Sequence, residues 1–332
     1  MTNSHPATPK FLRRAVAAGV LLSCLFLAGG CKTSDDATAA ASQLAATAKT
    51  LTNYYSALDT ILGQTDQLNA VQVVLYGIPY DAPIKAEIAD TRAEIQKRAA
   101  IAKGLTELAQ NFAKLTGSTA STDASASAGK LETEVESLKL TKGKMSSDEQ
   151  ALMKAAVDLV VKAIQERKER EAAQGISKFA KALAGFFTKE APDYESIARD
   201  YSAISSSLAK SLLQNGQTDP SGFFKVALDP YGLEPQITDP KLKNGIEMLA
   251  EQQVDLKAKA LDEAHKNASD DMEKCLKQMA DRIDLVANDK PMEVRTVPVT
   301  LANVEKWAEP FITKSLSSAS SRSAPKAPAK TK

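Results

Sequence analysis

Apolar side chains recur every three or four residues over long stretches of this chain, and this spacing restricts the fold more than any other feature. Between residues 35 and 69 the apolar positions step by 4, 3, 4, 3 and 4 residues; they are Leu44, Ala48, Leu51, Tyr55, Leu58 and Leu62. Such steps place side chains on one face of an α-helix, close to a coiled-coil seam. The sequence therefore predicts a long amphipathic helix over this stretch.

A turn and a second long helix follow. Gly77, Pro79 and Pro83 interrupt the pattern, which resumes from Ile84 to Phe112. Proline at 83 suits a first helical position, and a helix over 83–116 would need a partner for its apolar face. The preceding helix is the obvious partner, so we predict an antiparallel helical hairpin.

Three further long helices and a short one are predicted after the hairpin. A short helical stretch surrounds Leu131–Leu138. The long helices run from Ser146 to about Lys189, with a solvated charged stretch at 165–171, from Asp193 to about Gln214, and from Asp239 to about Ala287. Pro192 is expected to separate the first two long helices, because proline lacks the amide hydrogen that a helix needs. Thr300 is expected to cap a last helix that contains Val304, Trp307 and Phe311 and is kinked at Pro310.

Composition supports an all-α fold, since 54 of the 332 residues are Ala while Gly and Pro number only 15 and 14, and Ala has the highest helix propensity. We predict an elongated bundle of long antiparallel helices with coiled-coil-like seams and a disordered basic C-terminal tail. The expected divisions are a signal peptide at 1–30, a lipid-anchored hairpin at 31–116, a flexible linker at 117–130, a helical bundle at 131–314 and the tail at 315–332.

The first thirty residues have the pattern of an export signal. Lys10, Arg13 and Arg14 precede the uncharged stretch 15–30, AVAAGVLLSCLFLAGG. A basic segment, a short apolar run and a small-residue exit are typical of a secretory signal peptide. Sixteen apolar or small residues are too few for a permanent span, which needs about 20. We expect the segment to be removed.

The end of this run, Leu27-Ala28-Gly29-Gly30-Cys31, resembles the lipobox of bacterial lipoproteins. By that resemblance Cys31 becomes the mature N-terminus and carries a diacylglycerol and an amide-linked acyl chain such as palmitate, which together give stable anchoring. Leu21-Leu22-Ser23-Cys24 is a competing box, but it would leave an apolar segment on the mature chain. Lys32, in place of Asp, implies the outer membrane of a Gram-negative host, facing the periplasm or the surface, and otherwise anchorage at the cell membrane.

Cleavage before Cys31 changes the charge and the cysteine count. Three cationic residues are lost and the 41 acidic residues remain, so the net charge becomes −2, which argues against nucleic acid as a partner. Cys275 is the one thiol left besides the acylated Cys31, so we predict that it is a buried structural thiol. No internal disulfide is expected.

Catalytic patterns are missing from the sequence. His265 is the single histidine after residue 30, and its position in a polar stretch predicts a solvent-exposed side chain. No hydrolase, nucleotide-binding or zinc motif occurs, and Asp262, Glu263 and Asp270 would give His265 at most a weak surface metal site. We therefore predict no catalytic, cofactor-binding or metal-binding residues, and a single modification site at Cys31.

The function that these features favour is a non-enzymatic envelope lipoprotein that acts as a helical scaffold or protein-interaction module. It would reach the membrane through its lipid and bind an envelope protein. One alternative is a carrier or receptor for an apolar ligand held between amphipathic helices, with the aromatic connector 223–233 as a candidate lining. A third is a carboxylate-dependent hydrolase. The basic tail could touch anionic lipid or wall polymers weakly.

Overall fold

In the computed structural model the described residues are 32–77, 79–115, 121–137, 147–166, 168–220, 239–288 and 299–320. Within them the chain forms seven α-helices and no strand, so the predicted all-α bundle is confirmed. The helices are α1 (Lys32–Tyr76), α2 (Ala82–Leu115), α3 (Ser121–Ser137), α4 (Ser147–Gln165), α5 (Glu169–Gln214), α6 (Pro240–Ala287) and α7 (Val299–Ser320).

Helices α1 and α2 form the antiparallel hairpin that the apolar spacing predicts. Every position of the predicted α1 seam is buried. The turn begins at Gly77, whose positive φ of 66° is a conformation that glycine adopts without strain. Arg92 on α2 pairs with Asp59 on α1 at 2.9 Å, and the Tyr80 hydroxyl donates to Asp66. Asp59 precedes Asp66 along α1, whereas its partner Arg92 follows Tyr80, the partner of Asp66. The two segments are therefore antiparallel.

Helix α1 also contacts the last two helices of the chain. Tyr54 bonds to His265 on α6, Gln43 accepts a hydrogen bond from Arg282 on α6, and the Thr50 hydroxyl donates to Glu305 on α7. Thus α1 is buried from several sides, which explains why its apolar positions extend beyond a single seam. Residues Thr33–Lys332 form one compact unit, in which the predicted N-terminal hairpin packs with the later helices.

Helices α5 and α6, of 46 and 48 residues, are the longest pair and pack antiparallel. Polar contacts join them at intervals along their length: Lys181 with Asp284, Thr188 with Glu273, Ser202 with Asp262, Lys210 with Asp255, and Gln214 with Glu251. The predicted cap of α6 is confirmed, because the Asp239 carboxylate accepts a hydrogen bond from the Lys241 amide at 2.8 Å.

The expectation that Pro192 separates two helices is wrong. Helix α5 continues through Pro192 to Gln214. The missing amide hydrogen removes one backbone hydrogen bond, but α5 is held against α6 on both sides of the proline, by Thr188 before it and Ser202 after it. Packing along both flanks therefore outweighs the local preference of proline for a helix end.

The single helix predicted from Ser146 to Lys189 is also wrong, because the chain turns between α4 and α5. Lys168 has a non-helical ψ of 85°, and its ammonium group pairs with Glu166 and Glu171 across the break. A Cβ on Gly175 would lie 2.6 Å from Val160 Cγ2, so α5 folds back tightly on α4. The charged stretch is thus a solvated turn between two closely packed helices.

Helix α3 occupies much of the stretch predicted as a flexible linker. Residues 121–130 of the expected linker are helical. Asn111 on α2 donates to the Ser127 hydroxyl at 2.6 Å, and Ala128, Leu131 and Val135 are buried. The small side chains of this stretch allow α3 to approach α2 closely, and Ala favours the helix.

Helix α7 contains the predicted apolar residues Val304, Trp307 and Phe311, all buried, and Pro310 lies inside it. It extends to Ser320, so residues 315–320 of the predicted disordered tail are helical. The rest of that tail, the aromatic connector 223–233, Ser146 and the signal segment with Cys24 and Cys31 lie outside the described residues.

Candidate functional site

Six aromatic rings meet where α1, α5, α6 and α7 come together, and we call this group the aromatic centre. It consists of Tyr54, Tyr55, Phe187, Tyr194, His265 and Trp307. Neighbouring ring centroids lie 4.8 to 6.4 Å apart, mostly tilted or edge-on, which is the favourable range and geometry for aromatic pairs. Helix spacing alone does not reveal that four separate helices bring these rings together.

His265 lies inside the aromatic centre, so the prediction of a solvent-exposed histidine is wrong. Its side chain is only 1% exposed, and its Nε2 shares a hydrogen bond of 3.1 Å with the Tyr54 hydroxyl. The centroids of the His265 and Trp307 rings lie 4.8 Å apart. Burial lowers the pKa of His265 from 6.5 to about 4, because an apolar surrounding disfavours the charged imidazolium. The imidazole is therefore neutral at pH 7.

A buried ionic cluster borders the aromatic centre. The Arg98 guanidinium on α2 donates two hydrogen bonds to the Glu190 carboxylate on α5, at 2.7 and 2.5 Å, and contacts Glu94. The Tyr194 hydroxyl also donates to Glu190. Burial by itself lowers the pKa of Arg98, but hydrogen bonding to Glu190 together with charge interactions with Tyr194, Glu190 and Tyr55 outweighs this, so the net shift is upward. The guanidinium stays charged, which a buried carboxylate requires.

These titratable groups are closed off from solvent. Tyr54, Tyr55 and Tyr194 are at most 2% exposed, and burial raises the pKa of each hydroxyl. The raised pKa values keep the tyrosine hydroxyls protonated and the lowered pKa keeps His265 unprotonated, so all four side chains are uncharged near neutral pH. The contacts of the aromatic centre and the ionic cluster join α1, α2, α5, α6 and α7.

The weak surface metal site considered for His265 with Asp262, Glu263 and Asp270 is not formed in the structure. His265 points into the aromatic centre, and Asp262 accepts a hydrogen bond from Ser202 on α5. Within the described ranges, no three His, Cys, Asp or Glu side chains lie close enough to hold a metal ion. Cys275 is buried as a thiol, as its sequence position predicted.

The first half of α6 carries a row of exposed leucines, which we call the α6 leucine row. Leu242, Leu249 and Leu256 follow at intervals of seven residues and are 53%, 47% and 61% exposed. They lie on the same side of the helix as Ile246, but only Ile246 is buried. Because apolar side chains repeating every seven residues suit packing against a second helix, this row is the candidate interface.

The surface also has two open grooves, which are separate from the α6 leucine row. One, of about 560 Å³, lies between α1 and α7 and is lined mainly by Lys49, Asn53, Glu305, Lys306 and Glu309. The other, of about 310 Å³, lies between α2 and α3 and is lined by Glu107, Gln110, Asn111, Ala126, Ser127 and Lys130. Both are open to solvent, whereas a site for an apolar ligand normally encloses most of the ligand's surface.

Comparison with protein-family models, with curated proteins and with solved structures finds no match to this chain. Among the described helices, none is both long and apolar enough to cross a membrane.

Proposed function

We propose that the chain is an exported bacterial lipoprotein, anchored through an acylated Cys31, and that its helical body is a non-enzymatic scaffold that binds another protein. The observation that carries the binding role is the α6 leucine row. Three leucines at heptad spacing remain about half exposed on the first half of α6, and exposed apolar surface commonly marks an interaction site. The anchor is supported by the signal pattern and the LAGGC motif.

The scaffold role receives further support from the location of the titratable residues. The single histidine of the body, its buried tyrosines and the Arg98–Glu190 pair are sealed between helices. This arrangement favours a structural use of these groups over the hydrolase alternative. The carrier alternative has less support, because the two grooves described above are open to solvent and the interior position at Tyr54 is filled by neighbouring rings.

The anchor is tested by replacing each candidate cysteine. Cys31→Ala is expected to move the protein from the membrane fraction to the soluble fraction and to abolish incorporation of labelled palmitate. Cys24→Ala is the matched control, because it alters the competing box, and it should leave both readouts unchanged. If Cys31→Ala protein stays acylated and membrane-bound, the lipobox assignment is wrong.

The residue after the acylated cysteine sets the expected membrane. Lys32 lacks the carboxylate that commonly retains such proteins at the inner membrane of Gram-negative bacteria. In such a host, Lys32→Asp should therefore shift the protein from the outer to the inner membrane in a density-gradient separation. An unchanged distribution would contradict the proposed location.

The scaffold role is tested by photocrosslinking in native membranes. A photoreactive residue at position 249 should give a discrete protein adduct, whereas one at position 152, a leucine on α4 that is 50% exposed, should not. A carrier would instead release bound lipid on organic extraction and give no adduct specific to position 249. That pair of results would replace the scaffold proposal with the carrier.

A further inference from the structure

Acidic and basic side chains lie mostly on different sides of the first half of α6. Three carboxylates turn towards α5: Glu251 accepts from Gln214, Asp255 pairs with Lys210, and Asp262 accepts from Ser202. At 3.6 residues per turn these acidic residues lie about 120–160° around the helix from Leu249. The α6 leucine row therefore faces away from them.

Lysines border the α6 leucine row. Lys241, Lys257 and Lys259 are exposed and lie about 80° from Leu249 on its two sides. Glu263 is the acidic residue on this side of the helix, and it lies 3.9 Å from Lys259 at the far end of the row. An apolar seam with cationic borders thus remains, in the positions that flank a helix–helix interface.

A second copy of this chain fits the row poorly. Antiparallel pairing centred on Leu249 would bring Lys241 of each copy against Lys259 of the other, because both lie on the same side of the seam. Parallel pairing in register would bring Lys257 of each copy beside Lys259 of the other. Both arrangements place like charges beside an apolar seam, which disfavours association.

A membrane surface is also a poor match. Helices that lie in a lipid interface bury a broad apolar face that commonly includes Trp, Phe and Leu. The leucine row is narrow, since Gln252 and Gln253 flank Leu249 and Leu256, and α6 has no aromatic residue between Pro240 and Asp262.

We infer that the α6 leucine row binds an amphipathic helix of another protein whose apolar seam is flanked by Asp or Glu. The occupant follows from the charge pattern: acidic flanks would pair with Lys241, Lys257 and Lys259 while its apolar residues cover Leu242, Leu249 and Leu256. The row spans about 21 Å along α6 at ~1.5 Å per residue, which a partner helix of two to three heptads covers. This inference rests on the proposed scaffold function and specifies the chemistry of its partner.

The test uses residues 33–332, which form one compact unit, and two synthetic peptides of three heptads. Both peptides carry leucines at the seam positions. One has Glu at the flanking positions and the other has Lys. The Glu peptide should bind saturably in fluorescence anisotropy and weaken as salt increases, whereas the Lys peptide should bind at least about tenfold more weakly. Equal binding of the two peptides would overturn the inference.

Two variants test whether the Glu peptide binds at the α6 leucine row. Leu249→Gln/Leu256→Gln should weaken the Glu peptide at least about tenfold. Leu152→Gln is the matched control, since Leu152 is similarly exposed on α4, and it should leave affinity within about twofold. Gln has nearly the helix propensity of Leu, so both variants should keep the wild-type circular dichroism. Unchanged affinity in the row variant would refute the assignment.

The competing occupants give distinct results. A dimer in sedimentation velocity that Leu249→Gln converts to monomer would assign the row to a second copy. Pelleting with phosphatidylglycerol vesicles that depends on Leu249 would assign it to the membrane. Either result overturns the inference. If the Glu peptide does not bind but the crosslinked adduct at position 249 forms in native membranes, the scaffold proposal stands and the acidic partner helix is wrong. If the peptide does not bind and no adduct forms, the proposed interaction role is wrong as well.

Discussion

The buried imidazole of His265 should make the stability of the body depend on pH. His265→Gln is the informative substitution, because glutamine does not titrate in this range, favours helices and can still hydrogen-bond to the Tyr54 hydroxyl. Wild type and variant should therefore respond differently to acidification. Lys266→Gln, on the next and exposed residue of α6, provides the control for a charge change nearby.

The size of the effect follows from the shifted pKa. The folded state holds the pKa of His265 at about 4, against 6.5 ordinarily. Between these values the unfolded chain binds a proton that the folded chain does not, so stability is complete above about pH 6.5 and falls as the pH decreases. The loss attributable to this one group is about 2 kcal/mol at pH 5 and about 3 kcal/mol near pH 4.

Urea unfolding followed by circular dichroism measures this loss. For residues 33–332, the drop in unfolding free energy from pH 7 to pH 5 should be about 2 kcal/mol larger in wild type than in His265→Gln. Lys266→Gln should retain the wild-type drop. Since His265 is the only histidine after residue 30, its imidazole NMR signals can be followed directly and should titrate near pH 4.

Two results would refute this reasoning. An equal loss of stability in wild type and His265→Gln would mean that the folded state does not resist protonation of this residue. An imidazole signal that titrates near pH 6.5 in the folded protein would mean that His265 is accessible to solvent. Either result would contradict its placement in the aromatic centre.

Three further predictions concern packing and are all measurable by urea unfolding at pH 7. Arg98→Met should destabilise the body by about 3–5 kcal/mol because Glu190 is left as a buried unpaired charge, and Arg98→Met/Glu190→Met should recover most of the loss; equal losses would contradict a buried pair. Gly175→Ala should destabilise by about 1–3 kcal/mol through its clash with α4, whereas Gly185→Ala, with open space at its Cβ, should stabilise by about 0.5–1 kcal/mol. Tyr55→Phe removes a buried hydroxyl that makes no hydrogen bond within the part of the chain that the structure describes, so stability should hold or rise by up to about 1 kcal/mol; a clear loss would indicate a bonded hydroxyl.

The apolar spacing predicted the helices wherever local signals and packing agree. The seam of α1, the turn after Tyr76, the start of α6 at Asp239 and the buried residues of α7 all follow from spacing, glycine, proline and capping residues. Each of these signals acts within a few residues of the structure that it specifies. The bundle class was therefore predictable from the sequence.

The failures arise where distant contacts outweigh local preference. Pro192 remains inside α5 because α6 holds both sides of it, and the chain turns at Lys168 because Gly175 allows α5 to pack on α4. His265 has polar sequence neighbours, yet its own helix face meets Tyr54 and Trp307. The leucines of the α6 row have the spacing of core residues, and only the arrangement of α5 and α1 reveals that they stay exposed.

The central position of α1 determines when the body can finish folding. Tyr54 and Thr50 meet partners that lie 211 and 255 residues later in the chain. The α1–α2, α4–α5 and α5–α6 hairpins can form from nearby segments, but the aromatic centre is complete only when α7 brings Trp307 to it. Contacts between such distant residues form late, because closing a long loop is entropically unfavourable. A chain that ends before α7 would therefore carry formed hairpins around an incomplete core, and the last helix would act as the closing element.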